Sequence, residues 1–84
     1  MPETKDATKE QIETRVTDAL VEFGEERSEL SPSTRFADLD VDSLDLVELA
    51  QIVEDEYGIE VQDSDLDKVE TIGDVVELVS QRLQ

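Results

Sequence analysis

Neither cysteine nor histidine occurs in the 84 residues. Their absence removes disulfides, Cys and His nucleophile systems, imidazole general bases and the usual zinc ligand sets together. Self-contained hydrolytic chemistry is thereby nearly excluded. Lys and Arg are scarce, 7 against 24 Asp and Glu, and the net charge of −17 repels DNA, RNA and anionic lipid. The expected partners are basic proteins, with neither nucleic acid nor membrane among them. No apolar run approaches the roughly 18 to 20 residues that cross a bilayer. The opening segment, Met1-Pro2-Glu3-Thr4-Lys5-Asp6, lacks the apolar stretch of a secretory signal and the Arg-rich, acid-poor character of a transit peptide. A cytoplasmic protein is expected.

Leu, Ile, Val and Phe number 25 of the 84 residues. That is about 30%, above the roughly 20% floor below which a highly charged chain stays unfolded. The length allows one small core. Residues 1–7 are polar and expected to fray, leaving a single helical domain over 8–84. Ile12, Val16, Ala19, Leu20 and Phe23 recur at spacings of three and four, the stripe of an amphipathic helix. Thr8 with Gln11 has the form of a capping box and Gly24 is a natural stop, so the first helix is expected at about 9–23. Glu10, Glu13, Arg15 and Glu22 fall on its wet side.

From Glu25 to Val41 neither helical nor strand periodicity persists, and Ser31-Pro32-Ser33 is turn chemistry. A long ordered loop is expected, folded onto the bundle by Leu30, Phe36, Leu39 and Val41. Asp42 can cap a second helix, with Asp45 adding negative charge in its first turn, and Gly58 stops it after Tyr57. Gly58-Ile59-Glu60-Val61-Gln62 alternates like a strand but has no partner strand. It reads as an extended connection whose Ile59 and Val61 plug the core. Asp63 or Ser64 caps a short third helical turn carrying Leu66 and Val69. Thr71 with Asp74 begins a last helix that buries Ile72, Val75, Val76, Val79 and Leu83; its β-branched content means that tertiary packing must hold it.

Twelve acids lie between Phe36 and Asp67 with no Lys or Arg among them. Such a run is either a solvated face or an electrostatic address. A wheel at about 100° per residue, with Leu49 at zero, gathers Leu46, Ala50, Ile52, Val53 and Tyr57 within about 100° of it as a core face. Leu44 and Val47 fall at about 220° and 160°, among Glu48, Gln51, Glu54 and Asp55. Either the long loop covers them, or they form the apolar centre of a docking patch with a charged rim. Ser43 lies beside that patch in the first helical turn. Free N–H groups and the dipole would welcome a phosphate there, although a serine at a helix start is also ordinary capping chemistry.

Asp38, Asp40 and Asp42 occupy the first three ligand positions of a calcium loop, but Ser43 replaces its Gly and Leu49 its terminal Glu. A second frame from Asp63, Asp65 and Asp67 puts Lys68 where Gly should stand. No dedicated metal site is expected; clustered carboxylates would bind Mg²⁺ or Ca²⁺ only diffusely.

The run Phe36-Ala37-Asp38-Leu39-Asp40-Val41-Asp42-Ser43-Leu44-Asp45-Leu46-Val47-Glu48-Leu49 resembles the acyl carrier proteins, whose signature is Asp-Ser-Leu at the head of an acidic second helix. The likeness extends through Glu54-Asp55-Glu56-Tyr57-Gly58-Ile59-Glu60-Val61 to Thr71-Ile72-Gly73-Asp74-Val75. The resemblance implies an all-α four-helix bundle with a short third helix. It implies that Ser43 receives phosphopantetheine from coenzyme A through a Mg²⁺-dependent phosphopantetheinyl transferase. The thiol of that arm carries acyl groups as thioesters, supplying what a chain without cysteine lacks. By the same resemblance, Asp42, Leu44, Asp45, Val47, Glu48 and Glu54 form the surface read by basic patches on fatty-acid or polyketide biosynthetic enzymes. A freestanding monomeric carrier, itself no enzyme, is expected. The alternative from another class is an acidic helical adaptor that binds basic proteins through Leu44 and Val47 and is never modified.

Three positions depart from the family pattern. Asp40 stands where Gly is common, which would strain the chain if the backbone there is left-handed. Gln51 replaces an apolar residue, often Met, making the patch smaller or more polar. Gln62 replaces Pro, which leaves the approach to the third helix less rigid. A cavity among Leu46, Val53, Leu66, Val69 and Val76 would decide whether an acyl group is shielded in the bundle.

Overall fold

The computed structural model describes residues 8–83. The segment 1–7, expected to fray, lies outside them. Four helices follow in order: α1 (Lys9–Glu22), α2 (Ser43–Tyr57), α3 (Asp63–Leu66) and α4 (Ile72–Leu83), and no strand occurs among the described residues. Local signals set their ends. The Thr8 hydroxyl accepts the Gln11 N–H at 3.1 Å while the Gln11 carboxamide accepts the Thr8 N–H at 3.0 Å, a reciprocal cap that satisfies two otherwise orphaned donors. Gly58 closes α2 at φ 67°, a left-handed conformation that a side chain would oppose.

α1, α2 and α4 pack on one another, and α1 lies most closely against α4. Their apolar stripes meet in one core. Ile12, Val16 and Leu20 of α1, Leu49 and Val53 of α2, and Ile72 and Val79 of α4 are almost wholly excluded from solvent. Burial of each such side chain contributes roughly 1.5–3 kcal/mol, so this cluster supplies most of the driving force. Among the described residues there are four ion pairs, Lys9–Glu77, Arg15–Glu56, Arg27–Asp18 and Arg82–Asp65; the first three are well exposed, and in the fourth Asp65 is largely covered while Arg82 stays open to solvent. Pairs of that kind contribute at most about 1 kcal/mol each. They pin elements together locally while the core decides stability. Tyr57 closes the lower end of α2; burial first, then the neighbouring Glu56 charge, raise its phenol above the ordinary value, against a lowering by Arg15.

The segment 25–41 contains two 3-10 turns, Arg27–Glu29 and Phe36–Asp38, where no periodicity was legible. Phe36 is buried, and Leu30, Leu39 and Val41 pack against the core as expected. Backbone bonds fasten this segment to the approach of α4. Phe36 N–H donates to Glu70 O at 2.9 Å, Ile72 N–H to Thr34 O at 3.0 Å and Gly73 N–H to Pro32 O at 2.8 Å. The clip orients the chain that enters α2, and so places Ser43.

Three expectations need correction. The residue that caps α3 is Gln62, ahead of both Asp63 and Ser64, and Val69 lies beyond the end of the helix. The Gln62 N–H donates to Asp65 Oδ2 at 3.0 Å, a bond that Pro could not make. Asp40 carries no left-handed strain, because no residue other than glycine has positive φ among the described residues.

Candidate functional site

The head of α2 is built by two aspartates. Asp42 Oδ1 accepts the Asp45 N–H at 3.0 Å, and Asp45 Oδ2 accepts the Asp42 N–H at 3.3 Å. Asp45 is therefore the second half of a capping box as well as a negative charge facing the positive helix end. Ser43, the first residue of the helix, is exposed. Because Asp42 supplies the cap, the Ser43 hydroxyl is spared that task.

Ser43 sits between two open grooves. One, of about 330 Å³, runs toward α3 and is lined by Ser43, Leu46, Val47, Asp63, Leu66 and Asp67. The other, of about 280 Å³, runs beneath the 25–41 segment along Arg35, Phe36, Val41, Asp42 and Glu70. Neither is a closed pocket with converging catalytic groups. The Ser43 hydroxyl belongs to an exposed residue that borders both.

Leu44 and Val47 are 72% and 38% exposed, so the loop does not cover them. Glu48 and Gln51 are exposed beside them. Asp42 is exposed and Asp45 half-buried. Glu54 differs: it is half-buried, and its Oε2 accepts the Val61 N–H at 2.7 Å, tying α2 to the extended connection. No sequence signal marks that bond. On the opposite wheel face, Leu49, Ala50, Val53 and Tyr57 are buried as expected, while Leu46 and Ile52 are only half-buried.

The interior cavity is lined by Leu46, Leu49, Val53, Val61, Leu66 and Val79, with neither Val69 nor Val76 among its walls. Its volume is about 10 Å³. That is about the minimum for a single water, so the bundle in this conformation holds no acyl chain. Among the described residues, no group of three or more acids is arranged to hold a metal ion.

The family profile described as "Phosphopantetheine attachment site" matches residues 14–79, a span that includes all of α2 and α3 and most of α1 and α4. The chain belongs to the acyl carrier protein family. It is 42% identical over 77 residues to the "Meromycolate extension acyl carrier protein" of Mycolicibacterium smegmatis, covering 89% of this chain and 78% of that protein. It is 37% identical over 79 residues to the "Acyl carrier protein" of Thermotoga maritima, covering 92% of this chain and 98% of that protein. Its role is that of a phosphopantetheine-dependent acyl carrier, not a catalyst. Acyl carrier proteins are modified by phosphopantetheinyl transferase and work with acyl-chain biosynthetic enzymes. The residues at the head of α2 fit that group: an exposed primary hydroxyl, backed by an independent cap, opens onto two grooves. No described helix is long and apolar enough to cross a membrane.

Proposed function

We propose that Ser43 is the attachment site and that Asp42, Leu44, Asp45, Val47, Glu48 and Glu54 form the docking surface. The observation that carries the reading is the exposure of Ser43 at the first position of α2, within the matched segment and beside exposed Leu44. In the modification, the Ser43 oxygen bonds to phosphorus as the phosphoanhydride of coenzyme A breaks. Adenosine bisphosphate leaves, and the hydroxyl proton passes to a base of the transferase, since Ser43 has no base of its own. When attached, the group supplies a thiol that holds acyl chains as thioesters. The carrier's residues then present that arm: the Asp42–Asp45 box fixes the helix end, and the carboxylate-rimmed apolar patch meets a basic enzyme surface.

Glu54 contributes to docking through its field, because one oxygen is committed to Val61. A single carrier domain over 8–84, acting as a cytoplasmic monomer, completes the reading. The one-domain part of it is supported by the core cluster that α1, α2 and α4 share.

Incubation with coenzyme A, Mg²⁺ and a broad-range phosphopantetheinyl transferase tests the assignment by intact mass. One phosphopantetheine should be added to the wild type and none to Ser43→Ala. The same variant should keep its fold, since Asp42 retains the cap. A mass gain that persists in Ser43→Ala would move the site elsewhere, and no gain in the wild type would favour the unmodified adaptor.

A further inference from the structure

The few cations are unequally employed. Lys9, Arg15, Arg27 and Arg82 each contact a carboxylate on another segment, whereas Arg35 and Lys68 form no ion pair among the described residues. Lys68 lies in a groove with Asp65, Asp74 and Glu77, away from Ser43. Arg35 is different, because it lines the same groove as Ser43. It is the last cation before the acidic run of 36–67, and its backbone is held by the bridge to Thr71.

The two grooves beside Ser43 therefore differ in charge. The groove toward α3 carries Asp63 and Asp67 and no cation. The other carries Arg35, with Asp42 and Glu70 as its acids. Asp42 is engaged by the Asp45 backbone through its side-chain oxygen, which reduces its claim on the guanidinium. A phosphodiester formed on Ser43 adds one more negative charge to a segment already rich in them. The α3 side repels that charge, while the Arg35 side offers a planar fork of donors suited to phosphate oxygens.

We propose that Arg35 binds the phosphodiester joining the arm to Ser43 and thereby sets the groove from which the arm departs. This rests on Ser43 being the attachment site.

The test is made on the full chain before and after modification, with conversion checked by intact mass. The arginine Nε–H resonances are followed by ¹⁵N NMR and the phosphodiester by ³¹P NMR. On conversion, the Arg35 resonance should move more than those of Arg15, Arg27 and Arg82. Arg35→Gln should displace the ³¹P resonance of the modified protein, and Arg35→Lys should restore most of that displacement. Arg27→Gln makes the same charge change at a residue paired with Asp18, and should leave ³¹P in place. An Arg35 resonance that stays still in fully converted protein, or an equal ³¹P displacement from Arg27→Gln, would overturn the role of Arg35 alone. Failure of the wild type to gain mass would overturn this proposal together with the attachment site.

Discussion

Glu54 Oε2 accepts the Val61 backbone N–H at 2.7 Å, so one carboxylate of the acidic face is also a strut between α2 and the connection to α3. Val61 itself packs against the core. Removing the acceptor leaves a part-buried N–H without a partner, which costs about 1–2 kcal/mol. Glu54→Ala should accordingly lower the melting temperature by roughly 4–15 °C for a domain of this size. Glu54→Gln keeps an acceptor oxygen and should lose less. Thermal melts of both variants decide the matter: equal, negligible shifts would show that water replaces the carboxylate.

Gly73 makes the opposite kind of contact. Its N–H reaches Pro32 O at 2.8 Å, and a Cβ on residue 73 would stand 2.9 Å from that same oxygen. In an ordinary helix, Gly→Ala stabilises by about 0.8–1 kcal/mol. Here the neighbour is backbone and cannot rotate away, so overpacking of about 1–3 kcal/mol should win and the clip should open. Gly73→Ala should melt lower than the wild type and exchange the amides of Phe36 and Ile72 faster. A higher melting temperature would mean that the 25–41 segment yields without cost.

The contrast between these contacts and the helix ends shows what the sequence could disclose. Thr8 with Gln11, Asp42 before Ser43, Gly58 and Thr71 with Asp74 are local signals, satisfied within one turn, and each stands at or beside an observed boundary. The helical period sets Leu44 and Val47 off the core face but leaves open whether the loop covers them; the fold settles that by leaving both exposed. The Glu54–Val61 bond and the clip between 32–36 and 70–73 were not legible. They join backbone groups of separate segments, and any residue other than proline offers the same N–H. Gln62 carries no local capping signal, because glutamine lacks the short side-chain oxygen of the preferred caps. Arg35 was likewise silent, since only the fold brings it to the groove of Ser43.

The carboxylate of Asp74 is held below its ordinary 3.8, first by the Glu70 N–H at 2.9 Å and then by the Thr71 N–H at 3.0 Å. Asp65 is lowered as well, chiefly by the Gln62 N–H and next by Arg82. Because both folded values lie below the unfolded ones, their stabilisation is complete above about pH 3.8 and disappears as pH falls through the lower folded values. Relief of the −17 self-repulsion acts in the other direction as acids become neutral. Stability should therefore rise on mild acidification and fall below about pH 3.8. Asp74→Asn should be less stable than the wild type at pH 7 and lose less on acidification. Denaturant titrations across pH would reveal this, and parallel acid limbs for the two proteins would remove Asp74 from the account.

Leu44 and Val47 separate a docking face from a merely solvated one. Both side chains are outside the core, so a glutamate at either should change stability by no more than about 0.5 kcal/mol and leave helicity intact. On docking, however, the centre of the patch loses water, and a carboxylate placed there must be desolvated among Asp42, Asp45 and Glu48. Leu44, the more exposed, should show the larger effect. Its change to glutamate should raise the transferase KM for the carrier about tenfold, which corresponds to about 1.4 kcal/mol of lost association. Val47→Glu should act in the same direction more weakly. Circular dichroism and the KM are measured on the same preparations with Mg²⁺ held constant. Unfolding of either variant would place these side chains in the core; unchanged KM in folded protein would leave the acidic run as a solvated face and withdraw the docking surface.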